Sequence, residues 1–258
     1  MIDHLINMNA CPLYDPVFRK HVKEELDQNG VVCLDNFLTP SALSDIVKAG
    51  MDEQNLAFYT QGTHNVYLTP QDDTLGEDHV FNRQVTSSKG CITTDQVPAD
   101  CGLHDIYFNE DFQSFIAEVV DENKVYPYED PLSSINIHYA SEGQELGWHF
   151  DNSSFAITLL LQKPEGGGSF EYVKDLRNAD AGEMNFNGVK DVLDHKTAIN
   201  TLDINPGTLV LFRGRNSMHR VTPTEGDITR MLVVLAYNNK PGVALSENAR
   251  ITFYGRLG

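Results

Sequence analysis

The second half of the chain is a succession of short apolar segments separated by turn residues. Segments of this length, rich in branched and aromatic side chains and bounded by Gly, Pro, Asn or Asp, are typical of β-strands. Eight of them in a row predict two sheets that close on each other, because each strand must bury its apolar face. The segments are SSINIHY, GWHFD, FAITLLL, GSFEYV, TAINTL, TLVLF, SMHRV and MLVVLAY.

The first half of the chain has the periodicity of helices. Apolar residues recur at four-residue spacing over positions 14–26, and the Asn-Gly pair at 29–30 provides a stop. The Thr-Pro pair at 39–40 is a start signal for a second helix, with proline at its first position. A third helix is predicted over 105–123. These helices are expected to pack on one side of the strands.

Residues 60–104 follow neither pattern, because Gly, Asp, Thr, Ser and Pro dominate there. A connection of this length in a compact domain is either disordered or functional, for example as a lid, and a solvated surface loop is the alternative. No linker separates the two halves, so residues 1–258 are predicted to form a single α+β domain. Its mainly helical part, 1–130, would pack against the major sheet of a double-stranded β-helix (jelly roll) formed by 131–258.

Composition restricts the partners of the chain. Its formal net charge is −18, with 37 acidic against 19 basic residues, and no Lys/Arg cluster occurs. Nucleic acid and anionic membranes are therefore excluded as expected partners, because binding to phosphates needs a basic face. The N-terminus does not have the pattern of a signal peptide, and we expect a cytoplasmic protein that acts on a small molecule. The four cysteines have no metal-site spacing and are expected to be reduced.

Two ionisable residues stand at the edge of the predicted barrel. His149 and Asp151 are two positions apart in GWHFD, so on a strand they project from the same face. An imidazole and a carboxylate that converge suit a divalent metal, and they also suit a simple ion pair. A His-x-Asp motif alone decides little in a chain with nine histidines.

A third ligand comes from a later strand. The apolar strand at 209–212 leads through FRGRNS to His219. Two histidines and one carboxylate form the facial set of non-haem Fe(II) oxygenases, which leaves positions for a chelating co-substrate and for oxygen. His195 is the alternative third ligand, but its setting, VLDHKTA, is charged and typical of a loop.

Arg230 lies eleven residues after His219, at the start of MLVVLAY. A guanidinium that enters a barrel from a strand needs an anionic partner, and it binds a carboxylate through two parallel hydrogen bonds. The distal carboxylate of 2-oxoglutarate would be such a partner. Arg213 and Arg215 are alternatives, although an ion pair on the surface would explain either of them.

The combination of WHFD, a histidine seventy residues on and an arginine eleven further resembles the Fe(II)/2-oxoglutarate-dependent dioxygenases. It is most similar to the phytanoyl-CoA dioxygenase-like branch and, more loosely, to relatives of the radical halogenases that act on free amino acids. The resemblance implies that His149, Asp151 and His219 bind Fe(II) and that Arg230 binds 2-oxoglutarate. It also implies that O2 is a co-substrate and that an unactivated C–H bond of a small polar metabolite, such as an amino acid, is hydroxylated.

Asp151 separates two branches of this resemblance. In the halogenases a small residue replaces the carboxylate ligand, and chloride takes the vacated position. The presence of Asp151 therefore predicts a hydroxylase. Desaturation or cyclisation with the same cofactors stays open, as does a non-catalytic jelly-roll sensor that has kept a metal site. The co-substrate anchor Arg230 argues against the sensor.

Further site residues are predicted around this set. Tyr139 is expected to direct its hydroxyl to 2-oxoglutarate, as related enzymes often do, and a place in the apolar core is the alternative. Asn136 and His138 alternate with Tyr139 and would face the opposite side of the strand. Thr158 would either donate to 2-oxoglutarate or fill the barrel.

Three more residues are predicted to contact the substrate. Asn152 follows the Asp151 ligand directly, and Arg83 and Lys89 lie in the irregular stretch that is a lid candidate. For each of them a structural role, at a strand end or on a solvated loop, is the alternative.

Overall fold

A computed structural model describes residues 2–258. It contains six α-helices and a large curled antiparallel sheet. The helices are α1 (Pro16–Asn29), α2 (Pro40–Asp52), α3 (Gly102–Phe108), α4 (Glu110–Val120), α5 (Phe186–Leu193) and α6 (Glu247–Tyr254). The strands are β1 (Val31–Leu34), β2 (Phe58–Asn65), β3 (Gln84–Ile92), β4 (Tyr126–Pro127), β5 (Ile135–Ala140), β6 (Leu146–His149), β7 (Ala156–Gln162), β8 (Gly166–Gly167), β9 (Phe170–Val173), β10 (Asn200–Leu202), β11 (Leu209–Phe212), β12 (Met218–Val221), β13 (Thr224–Glu225), β14 (Arg230–Leu235) and β15 (Tyr237–Asn238).

The main sheet curls into a half-barrel. Its strand order is β1-β11-β7-β14-β5-β3-β6-β12-β9-β10, and β2 extends it by pairing with β3. Strand β3 pairs with β5 and, through Ser87 opposite Leu146, also with β6, so it joins the two halves of the barrel. All eight predicted strands are present, and the predicted jelly roll is confirmed.

Helix α1 ends at the predicted Asn-Gly stop, and helix α2 begins at the predicted Thr-Pro start. The Asp15 side chain accepts a hydrogen bond from the amide of Val17 at the start of α1, and Gly30 ends this helix with φ 72°. The Thr39 hydroxyl accepts from the amide of Ala42 at the start of α2. The third predicted helix is wrong in extent, because Asn109 has extended backbone and caps a new helix, α4. An asparagine followed by acidic residues is an N-cap signal that divides 105–123 in two.

Helices α1, α2, α3 and α4 cover the outer face of the sheet. The largest apolar cluster joins buried side chains of α2, α3 and α4 to those of β5, β7, β11 and β14. Ile46 of α2 and Phe112 of α4 pack in this cluster with Leu159, Met231 and Val233 of the sheet. The inner face of the barrel carries a smaller cluster and the polar residues described below. The prediction of helices packed against the major sheet is therefore confirmed.

The expectation that 60–104 is a long irregular connection was wrong. Much of it forms β2 and β3, which pair over eight residues and extend the main sheet. Stacked rings hold the segment between them: Tyr67 lies 5.1 Å from Phe81 and 5.6 Å from Phe150. Strand β2 is mostly exposed on both faces, so it lacks the apolar alternation that reveals a strand.

Two further features of the fold concern membrane spans and thiols. Among residues 2–258, no helix combines the length and the apolar character needed to cross a membrane. The four cysteines carry free thiols, and Cys11, Cys91 and Cys101 are buried.

Candidate active site

Three metal-ligand side chains converge inside the barrel. His149 ends β6 and lies directly opposite His219 of β12, with 4.1 Å between the ring centroids. Asp151 follows β6, and its Oδ1 lies 3.7 Å from His149 Nε2 and 3.5 Å from His219 Nε2. The three donor atoms lie within 4.8 Å of one another. The structure thus brings together the three ligands predicted from the sequence.

Backbone carbonyls orient both imidazoles. His149 Nδ1 lies 2.8 Å from the carbonyl oxygen of Gly147, and His219 Nδ1 lies 3.0 Å from that of Ser217. A carbonyl oxygen only accepts, so each Nδ1 carries the hydrogen and donates it. Each Nε2 therefore presents its lone pair to the common point, which is how ligating histidines are usually held.

The charges of the three residues fit a divalent cation. Burial, together with neighbouring His219, lowers the pKa of His149 to about 3, so this ring is neutral at physiological pH. Burial alone would raise the pKa of Asp151, but interactions with His219, His149 and Arg177 lower it below its usual value. Oδ2 of this ionised carboxylate is buried without a hydrogen-bond partner. Oδ1, the oxygen nearest to both Nε2 atoms, is the one that a metal ion would bind, and the donor set suits Fe(II).

Arg230 faces the same interior from the start of β14. Its side chain is 7% exposed, and burial lowers its pKa to about 10, so it remains protonated at neutral pH. Within residues 2–258 it has no ion pair and no side-chain hydrogen bond. It lines a cavity of about 240 Å³ together with Leu160 and Phe170 of the inner face. A buried guanidinium without a partner beside a cavity is suited to bind a small anion.

A second basic side chain lies on the inner face. Lys89 Nζ of β3 is 3.1 Å from His138 Nδ1 of β5, and it has no carboxylate within ion-pair distance in the described chain. Burial lowers the pKa of Lys89, and burial with the positive charges of Lys89 and Arg230 holds the pKa of His138 well below its usual value. Lys89, His138 and Arg230 thus form a basic row along the interior.

The predicted orientation of β5 was wrong. The hydroxyl of Tyr139 donates to the carbonyl of Gly50 in α2 at 2.6 Å, and the ring is fully buried in the outer cluster. Tyr139 is therefore not available to 2-oxoglutarate. Its neighbour His138 faces the interior, and Asn136 accepts a hydrogen bond there from Tyr254 of α6. The alternation along the strand is as predicted, but its phase is reversed.

Thr158 lies in β7 on the face it shares with Leu160, which belongs to the inner cluster. It is half-buried and forms no side-chain hydrogen bond in the described chain. Its role toward 2-oxoglutarate remains a prediction.

The other predicted substrate residues differ in setting. The guanidinium of Arg83 pairs with Asp194 and donates to the carbonyl of Leu193 at 3.1 Å, so it fastens the β2–β3 region to α5. Arg83 is exposed and its charge is paired with that carboxylate, so a substrate contact for Arg83 remains a prediction. Asn152 is exposed beside Asp151, and only its carbonyl is engaged, as acceptor from Arg215.

The alternatives to the chosen ligands lie outside the site. Arg213 pairs with Asp27, and Arg215 pairs with Asp180. His195 is an exposed residue with φ 56° just after α5. None of the three belongs to the converging set.

Sequence reasoning missed His64. It lies on β2, its Nε2 is 2.6 Å from Ser87 Oγ, and its ring lies edge-on to His149 with 6.3 Å between centroids. The same Ser87 hydroxyl accepts from the amide of Gly147, next to the metal ligands. No sequence signal indicated this contact, because β2 was not recognised as a strand.

The sequence matches the model of one protein family, described as Halogenase D, over residues 14–250. The chain belongs to the Halogenase D family. No curated protein is significantly similar to this family member in sequence. Its fold is shared by an oxidoreductase of the 2OG-Fe(II) oxygenase family from Burkholderia pseudomallei, with 13% identity, 87% of this chain and 92% of that chain covered, and a TM-score of 0.54.

Two further solved structures are similar to this Halogenase D family member. A prolyl hydroxylase from Trichoplax adhaerens, in complex with a hypoxia inducible factor peptide fragment, has 13% identity, covers 86% of this chain and 90% of its own, and has a TM-score of 0.57. The non-heme alpha ketoglutarate dependent epimerase SnoN from nogalamycin biosynthesis has 10% identity, coverages of 87% and 83%, and a TM-score of 0.59.

The family match, the fold and the His–Asp–His donor set together identify the chain as an Fe(II)/2-oxoglutarate-dependent oxygenase. Fe(II) is its metal and 2-oxoglutarate its co-substrate. The reactions named for its structural relatives differ, so the fold does not decide which one this chain performs.

Proposed function

We propose that the protein hydroxylates an unactivated C–H bond of a small polar metabolite, with Fe(II), 2-oxoglutarate and O2. The observation that carries this proposal is the position of Asp151, whose carboxylate lies 3.5 and 3.7 Å from the ligating nitrogens of the two histidines. With a protein carboxylate as third ligand, the site has no vacated ligand position for a halide. Hydroxylation is the reaction that this complete set favours.

Each residue of the site would have a separate role in this reaction. Bound Fe(II), with 2-oxoglutarate and O2, supplies the oxidant for C–H cleavage, and the co-substrate leaves as succinate and carbon dioxide. His149, Asp151 and His219 hold the metal, and Arg230 binds the distal carboxylate of 2-oxoglutarate. The β2–β3 pair lies beside the metal ligands, where it can exclude water from the reaction.

The basic row suggests the substrate class. Lys89 is half-buried and forms no ion pair within residues 2–258, so its amine is left for an anionic group of a ligand. Arg230 is assigned to the co-substrate, which leaves Lys89 for a carboxylate of the substrate. A free amino acid or a derivative in the cytoplasm would provide one, and the resemblance to halogenases of free amino acids points the same way.

A screen of amino acids tests this proposal directly. The purified protein with Fe(II), 2-oxoglutarate and O2 is expected to form succinate with a true substrate and a product 16 Da heavier than it, also when chloride is present in excess. Succinate formation and product mass are the measurements. A product 34 Da heavier, with the isotope pattern of chlorine, would contradict hydroxylation by the unmodified protein.

Halogenation is the second candidate, and the family match is the observation that favours it. Loss of two mass units in the same screen would instead indicate desaturation or cyclisation. A protein that binds metal and 2-oxoglutarate but never forms succinate above the background would be a sensor or binding protein.

Lys89→Met is expected to weaken binding of the substrate more than binding of 2-oxoglutarate. Removing one partner of a buried charge pair costs about 3–5 kcal/mol, which corresponds to a rise in the substrate KM of about 100-fold or more. The KM for 2-oxoglutarate should change less than about threefold. Lys20→Met, on an exposed lysine of α1 that pairs with Glu24, is the matched control. If only the KM for 2-oxoglutarate rises, Lys89 binds the co-substrate and the proposed substrate contact is wrong.

A further inference from the structure

Gly214 lies in the turn after β11, directly against the carboxylate of Asp151. A methyl group on its Cα would lie 1.8 Å from Asp151 Oδ2 and 2.6 Å from Asp151 Cγ. The φ angle of Gly214 is not in the positive range, so its backbone conformation is open to other residues. Only the space taken by Asp151 requires glycine at this position.

Hydrogen bonds and packing fix the backbone around Asp151, so it cannot easily shift away from Gly214. The amide of Asp151 donates to the carbonyl of Gly214 at 3.1 Å, and the amide of the preceding residue, Phe150, donates to that of Val66 at 2.8 Å. Phe150 itself is fully buried, and the guanidinium of Arg177 lies 4.1 Å from its ring centroid.

The other side of the contact is anchored as well. The amide of Arg213 donates to the carbonyl of Gly30 at 2.9 Å, and its side chain pairs with Asp27. Arg215 donates to the carbonyl of Asn152 at 3.0 Å. A larger residue at position 214 would therefore displace the Asp151 side chain, whose rotation would carry Oδ1 away from the two histidine nitrogens.

We propose that Gly214 is a positioning residue that makes room for a carboxylate at position 151 and so decides whether the protein itself supplies the third metal ligand. This inference rests on the proposed metal centre and goes beyond it, because it couples two positions that are 63 residues apart. A small residue at 151 removes the need for glycine at 214. The pair then determines whether an external anion can take the third ligand position.

The test is a cycle of four proteins titrated with Co(II) alone: the wild type, Gly214→Ala, Asp151→Gly and the double variant. Gly214→Ala is expected to weaken Co(II) binding about 10- to 100-fold when Asp151 is present, which is the usual effect of misplacing a ligand. In the Asp151→Gly background the same change should alter the affinity less than about twofold, since no carboxylate is left to displace. The visible Co(II) spectrum of Gly214→Ala should match that of Asp151→Gly.

Gly62→Ala is the control, because a methyl group there meets no atom within 4 Å. Circular dichroism checks that each variant is folded. Equal losses of affinity in both backgrounds, or no loss in either, would overturn the proposal. If Gly214→Ala fails to fold while the double variant folds, the clash with Asp151 is supported; if both fail, the glycine is needed for the fold and the proposal is wrong. If Asp151→Gly leaves the Co(II) affinity unchanged, the metal centre itself is wrong.

Discussion

Replacing His219 with alanine is expected to abolish iron binding and succinate formation. The variant keeps only His149 and Asp151 as donors, and Asp151 loses the nearer of its two imidazole neighbours, at 3.5 Å. Residues that merely support a ligand are worth about 10- to 100-fold in metal affinity, so loss of a ligand should cost more than about 100-fold. No other histidine of the described chain belongs to the converging set.

The measurement is the visible charge-transfer band of the Fe(II)–2-oxoglutarate chelate under exclusion of oxygen. The wild type is expected to show this band and His219→Ala to lack it, with succinate formation lost in parallel. His195→Ala is the matched control, because His195 is exposed and lies outside the site. Full activity of His219→Ala would show that another residue is the third ligand.

The barrel strands could be predicted because their physical signals are local. Each buried strand needs a run of apolar residues and each connection needs turn residues. Both patterns can be recognised directly in the sequence. The metal ligands followed from the same reasoning. His149 and His219 lie on strands that could be recognised, and the structure pairs these two residues directly.

The phase of β5 shows where such reasoning fails. In this strand Ile135, Ile137 and Tyr139 share one face and Asn136 and His138 the other, so the apolar face should have been assigned to the helices. The prediction instead placed the hydroxyl of Tyr139 in the site, and this assigned the apolar face of β5 to the interior. In this barrel the outer face of the main sheet packs against the helices, and the face that carries His138 lines the site.

The β2–β3 pair could not be predicted from periodicity. Its strands are held by main-chain hydrogen bonds to each other and by contacts far along the chain, such as that of Tyr67 with Phe150. Such contacts between distant residues leave no pattern in a local window of sequence. Lys89 was recognised as a site residue, but its contact with His138 depends on the pairing of β3 with β5.

Replacing Arg230 with methionine is expected to raise the KM for 2-oxoglutarate about 100-fold or more, while Co(II) binding stays within about twofold of the wild type. Methionine fills a similar volume, so the change removes mainly the charge and the hydrogen-bond donors. Loss of one partner from a buried ion pair costs about 3–5 kcal/mol, which sets this magnitude. Arg230 is separate from the metal donors, so the metal should still bind.

Arg230→Lys distinguishes a charge effect from a geometric one. A lysine keeps the charge but loses the planar fork that binds a carboxylate through two hydrogen bonds, so its KM should lie between those of the wild type and Arg230→Met. Arg19→Met is the control, because Arg19 pairs with Glu118 on α4, away from the cavity. An unchanged KM in Arg230→Met would assign the distal carboxylate to Lys89, the other cation of the basic row, and the substrate would then need a different anchor.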